Sequence, residues 1–425
     1  MIHESMQTKS QEKIDMVYSN CATWFHDWVQ AHPPTLEDEW DLATWMDDEM
    51  TAAVEALLRY GFRSIRGQQD AVVIIRAFLY EYYLFEKERA LRALKPNPDA
   101  VARILALPQT DQKSKSWYRE SRELLTGHEF GTVCYGSANA RNGVVMKKCS
   151  EVAIDESVTI MSSTVFCNNA EGSLSAFKWG WRYEPVVRSL YERCVAGGEV
   201  NGDIGRVRHP TLPRLAASPD GLILAGVKQG RLLEIKCPIT RDLTGEVPME
   251  YWCQMQLQAE VCNVNAVEYV EARLSSLPYE RANELSPAAL AKAKQPWMGM
   301  VAVVSPTLFG PPHEYQYVYS PLFPTSDMEG MLAWTPELAY EGRLIERTIW
   351  WVSDWFTTTV LRNRRWWSCI GQPAYESFWK DVDEARAKNT FSSAHQFVDD
   401  DGNALVLPAA SEENTVAFTP DAATE

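Results

Sequence analysis

The stretch Ala217–Pro238, ASPDGLILAGVKQGRLLEIKCP, constrains the fold more than any other part of the chain. Asp220 stands in the turn-like run Ser218-Pro219-Asp220-Gly221. Two short apolar runs follow, Leu222–Leu224 and Leu232–Lys236, on either side of a Gly-bearing connection, which is the pattern of a β-hairpin. In the second run a period of two puts Leu233 and Ile235 on one face and Glu234 and Lys236 on the other. Charges of opposite sign therefore point the same way, close to where Asp220 opens the hairpin.

Burying such charges is costly unless they compensate each other or hold something. Two carboxylates at adjacent strand ends, Asp220 and Glu234, suit Mg²⁺, with Mn²⁺ as an alternative, and the Ile235 carbonyl offers a third oxygen. Lys236 would then stand beside a metal-bound water, to orient it, favour its deprotonation or offset phosphate charge. That constellation suits phosphodiester hydrolysis. A bare D…ExK pattern is common by chance, and a surface Glu–Lys pair on an ordinary hairpin is its simpler reading. The flanking sequence separates the two.

With its flanks, ASPDG…LEIKCP followed by YWCQMQLQAEV resembles the core of the PD-(D/E)xK nucleases, in particular the lambda-type phage exonuclease and the alkaline exonucleases of herpesviruses and baculoviruses. AFKWGWRYEPVVRSLYE is similar to the family helix whose Glu lies near the metals, which points to Glu184; on spacing alone Glu184 and Arg188 could equally form an i,i+4 ion pair. Trp117–Thr126, WYRESRELLT, resembles the W…R…(I/L)TAS segment that holds a substrate phosphate. Tyr251 and Gln254 match the Y-x-x-Q of the helix after the metal strands. Here Thr126-Gly127-His128 stands in place of T-A-S. The family arginine aligns with Ser121, so the phosphate role falls to Arg119 or Arg122. The resemblance covers about Trp117 to Arg273.

At 425 residues the chain is long enough for two domains or one elaborated domain. It has no run of eighteen apolar residues to span a membrane. Nine scattered cysteines without a CxxC favour neither a zinc site nor a disulfide framework, and fit a reducing compartment. The net charge of −16 argues against non-specific adhesion to nucleic acid, although the His395–Glu425 tail supplies seven of the acids and no Lys or Arg.

The resemblance implies an α/β fold, a mixed β-sheet nuclease core flanked by helices, and periodicity adds an all-α N-terminal region. The expected divisions are a helical region at 1–110, a nuclease core at 111–320, a C-terminal helical extension at 321–394 and an acidic disordered tail at 395–425. Helices are expected over 36–60, 68–94, 173–192, 249–262 and 337–365, and strands over 267–272, 298–304 and 314–319. Residues 105–115 read as a linker, 199–203 as a turn. Ala138–Lys148 reads as a basic stretch, either a phosphate contact or an ordinary loop. Arg59, Arg63, Arg66 and Lys87, and the run Arg206, Arg208, His209 and Arg214, could line a nucleic-acid groove. Trp350, Trp351, Trp355, Trp366 and Trp367 could stack on bases, but such residues more often pack a core.

The resemblance implies a metal-dependent alkaline exodeoxyribonuclease acting 5′→3′ on double-stranded DNA. It also implies a single-strand annealing protein as partner, and work in viral recombination or genome maturation in the host nucleus. The other readings are a nuclease that cuts RNA in host shutoff and a catalytically silent DNA-binding scaffold.

Overall fold

The computed structural model describes residues 65–149 and 176–388, apart from residue 113 and residues 311–313, with parts of 15–30 and the short stretches 397–398 and 404–405. Helices come first: α1 (Ile65–Ala93), α2 (Pro98–Ala106), α3 (Lys115–Glu120), α4 (Gly127–Tyr135), α5 (Ala138–Cys149) and α6 (Ala176–Tyr191). The start of α2 follows from its sequence, because Pro98 opens the first turn and the Asn97 side chain accepts from the Ala100 N–H at 2.9 Å. Those of the N-terminal arginines that could line a groove, Arg59 and Arg63, lie outside the described residues, as does the Arg66 side chain; so does the helix expected over 36–60.

The sheet is built from β1 (Val200–Asn201), β2 (Gly221–Ile223), β3 (Leu232–Lys236), β4 (Ala266–Pro278), β5 (Trp297–Ser305), β6 (Gln316–Tyr319), β7 (Phe323–Pro324) and β8 (Arg343–Leu361). Its order is β7-β5-β8-β4-β3-β2-β1, with β6 beside β5. All neighbours are antiparallel except β3 and β4. A parallel pair needs a long crossover, and α7 (Met249–Val261) supplies it. The expected hairpin forms as β2 and β3, with Gly221 opposite Leu233.

Alternation along β3 sorts the two faces. Leu232 joins a core with Phe130, Met255, Leu257, Trp366, Trp367 and Phe378. Leu233 and Ile235 join another with Tyr183, Val187, Leu190, Val270 and Trp350. Helix α7 is buried on nearly every side, between the sheet and α4. Gly127 and Gly131, one turn apart on α4, permit this approach. A Cβ on Gly127 would lie 2.6 Å from Gln254 Cγ, and one on Gly131 2.9 Å from Glu250 Cα.

The mixed sheet, its flanking helices and the helical N-terminal region match the expected fold class, while several elements differ. Residues 337–365 are not a helix: the 19-residue β8 occupies most of them and sits between β4 and β5 in the middle of the sheet. The tryptophan spacing mimics a helix, but Thr357-Thr358-Thr359-Val360 and the many aromatics are strand formers that fit between two partner strands. Within the C-terminal extension the helices are therefore the short Met328–Ala333 and, beyond Asn363, chiefly α8 (Gln372–Ala387). Trp350, Trp366 and Trp367 are buried in the core and not offered to bases. Ala138–Lys148 is not a loop but the body of α5. The linker contains a two-residue strand, Gln109–Thr110, which pairs with Arg206–Arg208, and that segment pairs in turn with Ala216–Ala217. The expected turn at 199–203 contains β1. Of the expected disordered tail, the described residues form a two-residue ladder, Phe397–Val398 with Ala404–Leu405.

Trp350 is 1% exposed and lies opposite Gly299, whose missing side chain makes room for the indole. Trp350→Ala is expected to cost about 3–5 kcal/mol, read as a lower urea midpoint.

Candidate active site

The site forms where β2 begins and β3 ends. Glu234 is fully buried. One of its oxygens accepts from Lys236 Nζ at 2.5 Å, and the other from Gln258 Nε2 at 2.6 Å. Lys236 also donates to Gln254 Oε1 at 3.2 Å and lies 4.7 Å from the Tyr251 ring centroid. Glu234 and Lys236 thus share the face covered by α7, whereas Ile235 packs towards α6. The Asp220 carboxylate turns inward and accepts from the Ile235 N–H at 2.7 Å. Because a strand residue's N–H and C=O point to the same edge, the Ile235 carbonyl also faces the side where Asp220 stands.

Glu184 approaches from α6, with Arg188 Nη1 at 3.7 Å from Oε1. Glu184 thus forms the i,i+4 ion pair with Arg188 that its spacing allowed, and its charge also bears on Asp220. Burial, and then the Glu234 and Glu184 carboxylates, push the Asp220 carboxyl well above the usual aspartate range, against Lys236 and the Ile235 N–H. Burial acts to lower the Lys236 ammonium, but the Glu234 and Asp220 charges outweigh it and raise the group above ordinary lysine. Lys236 therefore stays charged near neutral pH.

Among the described residues, no three His, Cys, Asp or Glu side chains close into a ready cluster for a metal ion. The chemistry of the donors nevertheless fits a hard divalent cation. Asp220, Glu234 and the Ile235 carbonyl are oxygen donors, and the Glu234 and Glu184 charges both bear on Asp220, with Lys236 and Arg188 as the cations paired with them.

The segment expected to hold phosphate is sewn to this site. Leu125 N–H donates to Arg214 O at 2.8 Å, and Ala216 N–H to Leu125 O at 3.1 Å, on the strand that leads to Asp220. Thr126 caps α4 by position without a side-chain cap bond; its hydroxyl lies 3.3 Å from His128 Nδ1. Through Gly127 the start of α4 touches Gln254, and so reaches Lys236. Arg119 is exposed on α3 and Arg122 is half-buried. A different arginine, Arg206, occupies the ground beside Ser121. Its buried guanidinium donates to Trp117 O at 2.6 Å and Ser121 Oγ at 3.0 Å and stacks on the Trp117 ring at 4.3 Å.

The rest of the basic run is engaged as well. Arg208 pairs with Glu120 at 3.2 Å and Arg214 with Asp383 at 2.8 Å, and His209 lies 3.6 Å from Glu260. In α5, Lys148 is buried and donates to Ser121 O, Leu124 O and Glu129 Oε2 at 2.7, 2.9 and 2.6 Å. Sequence reasoning missed Gln258 as a partner of Glu234, and Glu271. The latter is fully buried, stands in register with Lys236 on β4 and pairs with Arg241. Its signal was present: an acid inside the apolar run Val267–Ala272 needs a partner.

Residues 116–265 match the profile of the YqaJ-like viral recombinase domain, a span that contains Asp220, Glu234, Lys236 and Gln254. An uncharacterized protein of Acanthamoeba polyphaga mimivirus is 26% identical over 187 residues, which is 40% of this chain and 31% of that protein. The match thus spans under a third of that relative's length. Among solved structures, the alkaline exonuclease LHK-Exo of Laribacter hongkongensis is 16% identical, with a TM-score of 0.37 over 65% of this chain and 96% of that one. A phage-related exonuclease of Haemophilus somnus is 10% identical, with a TM-score of 0.31 over 63% and 96%. At those scores the likeness adds nothing to the fold described above.

Asp220 carries a pH signature. Its carboxyl is raised in the fold from the ordinary 3.8, so its contribution to stability is complete below that value and is lost as pH rises through the raised one. Asp220→Asn should therefore gain stability relative to the parent as the pH is raised from 3.8 into the neutral range. Thermal melts of both proteins in chelator across that range would show it; parallel pH slopes would refute it.

Proposed function

We propose that this chain, whose residues 116–265 form a domain of the PD-(D/E)xK-like viral nuclease/recombinase family, is a Mg²⁺-dependent deoxyribonuclease that degrades linear duplex DNA from its ends. The observation that carries this reading is the crowding of Asp220, Glu234 and Glu184 at one strand end, with a lysine held against the buried acid. A scaffold that only bound DNA would gain nothing from such repulsion.

Asp220, Glu234 and the Ile235 carbonyl would hold the divalent ion, with Glu184 acting directly or through water. When bound, such an ion supplies Lewis-acid polarisation of a phosphoryl oxygen and lowers the pKa of water. The remaining steps belong to the chain. Lys236 is favoured in its ammonium form by Glu234 and Asp220. It orients the attacking water and offsets charge on the phosphate. Gln254 fixes the ammonium from α7, and Tyr251 shields it from the side. Glu234 itself cannot swing away, because Gln258 holds its other oxygen. Phosphate recognition would fall to the start of α4, through Thr126 and first-turn N–H groups, with Arg119 or Arg122 adding charge.

The 5′→3′ direction, a single-strand annealing partner and a role in viral recombination or genome maturation in the host nucleus extend this reading from the sequence resemblance. End-labelled linear duplex DNA with Mg²⁺ tests activity and direction together, and a parallel RNA substrate tests the alternative. Asp220→Asn and Lys236→Ala should each slow release of label by about a hundredfold or more. Digestion at the parent's rate by both variants would sink the assignment.

A further inference from the structure

Arg188 lies one helical turn beyond Glu184 on α6 and makes two contacts inside the acid cluster. Its Nη1 stands 3.7 Å from Glu184 Oε1 and donates to the main-chain oxygen of Asp220 at 3.3 Å. The guanidinium therefore bridges the helix that brings one acid and the strand end that brings another. Its place is reserved by a glycine. A Cβ built on Gly202 would fall 1.9 Å from Arg188 Cζ and 2.1 Å from Nη1, so no other residue type fits there with the arginine in position. The backbone around Gly202 is itself fixed, since the Asp203 N–H donates to the Asn201 side chain at 2.8 Å. Around the Glu184 carboxylate stand Arg188 on α6, Asp220 before β2, Cys237 after β3 and Tyr319 on β6. Arg188 is a cation in that shell, paired with Glu184.

We propose that Arg188 is the resident counter-ion of the acid cluster, seated by Gly202, and that it holds the cluster's affinity for a divalent cation below what the carboxylates alone would give. The inference rests on the nuclease reading above. A fixed positive charge a few ångströms from a binding site for a divalent ion opposes binding, while its bond to Glu184 keeps the acids together when no ion is present. Arg188 is thus a positioning residue that acts through Glu184 and Asp220. A purely structural role predicts that its loss loosens the site and weakens binding; a counter-ion role predicts the opposite sign.

The test is calorimetric titration of the full chain with Ca²⁺, a stand-in that binds without requiring turnover, with thermal melts to confirm that each variant folds. Arg188→Gln should bind Ca²⁺ about tenfold more tightly than the parent. Gly202→Ala, which keeps the arginine but pushes the flexible guanidinium aside, should shift affinity in the same direction. Arg188→Lys, which keeps the charge, should stay nearer the parent. Unchanged or weaker binding in whichever of the first two variants folds overturns the proposal and leaves the nuclease reading standing. A parent that binds no divalent ion overturns both.

Discussion

The buried carboxylate of Glu234 sets the terms for the rest of the fold. An ionised acid with no access to water costs several kcal/mol unless it is paired and hydrogen-bonded. Both oxygens are met, by Lys236 from the same strand and by Gln258 from α7. Gln258 reaches the acid only because α7 lies across that face, and α7 lies there because β3 and β4 run parallel and require a crossover. The glycines of α4 then let a further helix close over α7 and bring Thr126 to the same place. Chemistry and topology are thus one constraint: moving the crossover would strand the charge.

Burial of charge alone does not mark the site. Glu268, on the same parallel pair, is equally buried, yet Lys228, Arg231, Tyr191 and Thr359 all donate to it, and its carboxyl is held below the usual range despite burial. That acid is satisfied and structural. Asp220 is its opposite: it has the Ile235 N–H and the reach of Lys236, but burial and then two neighbouring carboxylates drive it upward. The balance of partners around each buried carboxyl is what separates Asp220 from an acid that is already satisfied.

What could be read from the sequence was whatever depends on local period. The β2–β3 hairpin and the opposed faces of Leu233/Ile235 and Glu234/Lys236 follow from alternation by two, and α7 from its length between turn signals. The strand β8 was misread because Trp350, Trp351 and Trp355 also satisfy a helical spacing, and only its two partner strands decide the matter. The roles of Arg206 and Lys148 were not legible. Each is a basic residue among other basic residues, and its burial depends on main-chain carbonyls of Trp117, Ser121 and Leu124, which no spacing rule connects to it. Gln258 lay between: its face was clear, its partner was not.

The engagement of those cations bears on how a polyanion could be recognised at all. With a net charge of −16, and with Arg208, Arg214 and His209 facing internal acids, long-range attraction does not favour the approach of nucleic acid. Recognition would have to be short-range, through backbone N–H groups at the start of α4, the Thr126 hydroxyl, a neighbouring arginine and Lys236. Short-range donors are effective only when they are held in place before the ligand arrives. Arg206 stacked on Trp117 and Lys148 bonded beneath the α3–α4 loop provide that rigidity from two sides. Cations suited to attracting a phosphate from a distance are instead used to fix the α3–α4 segment.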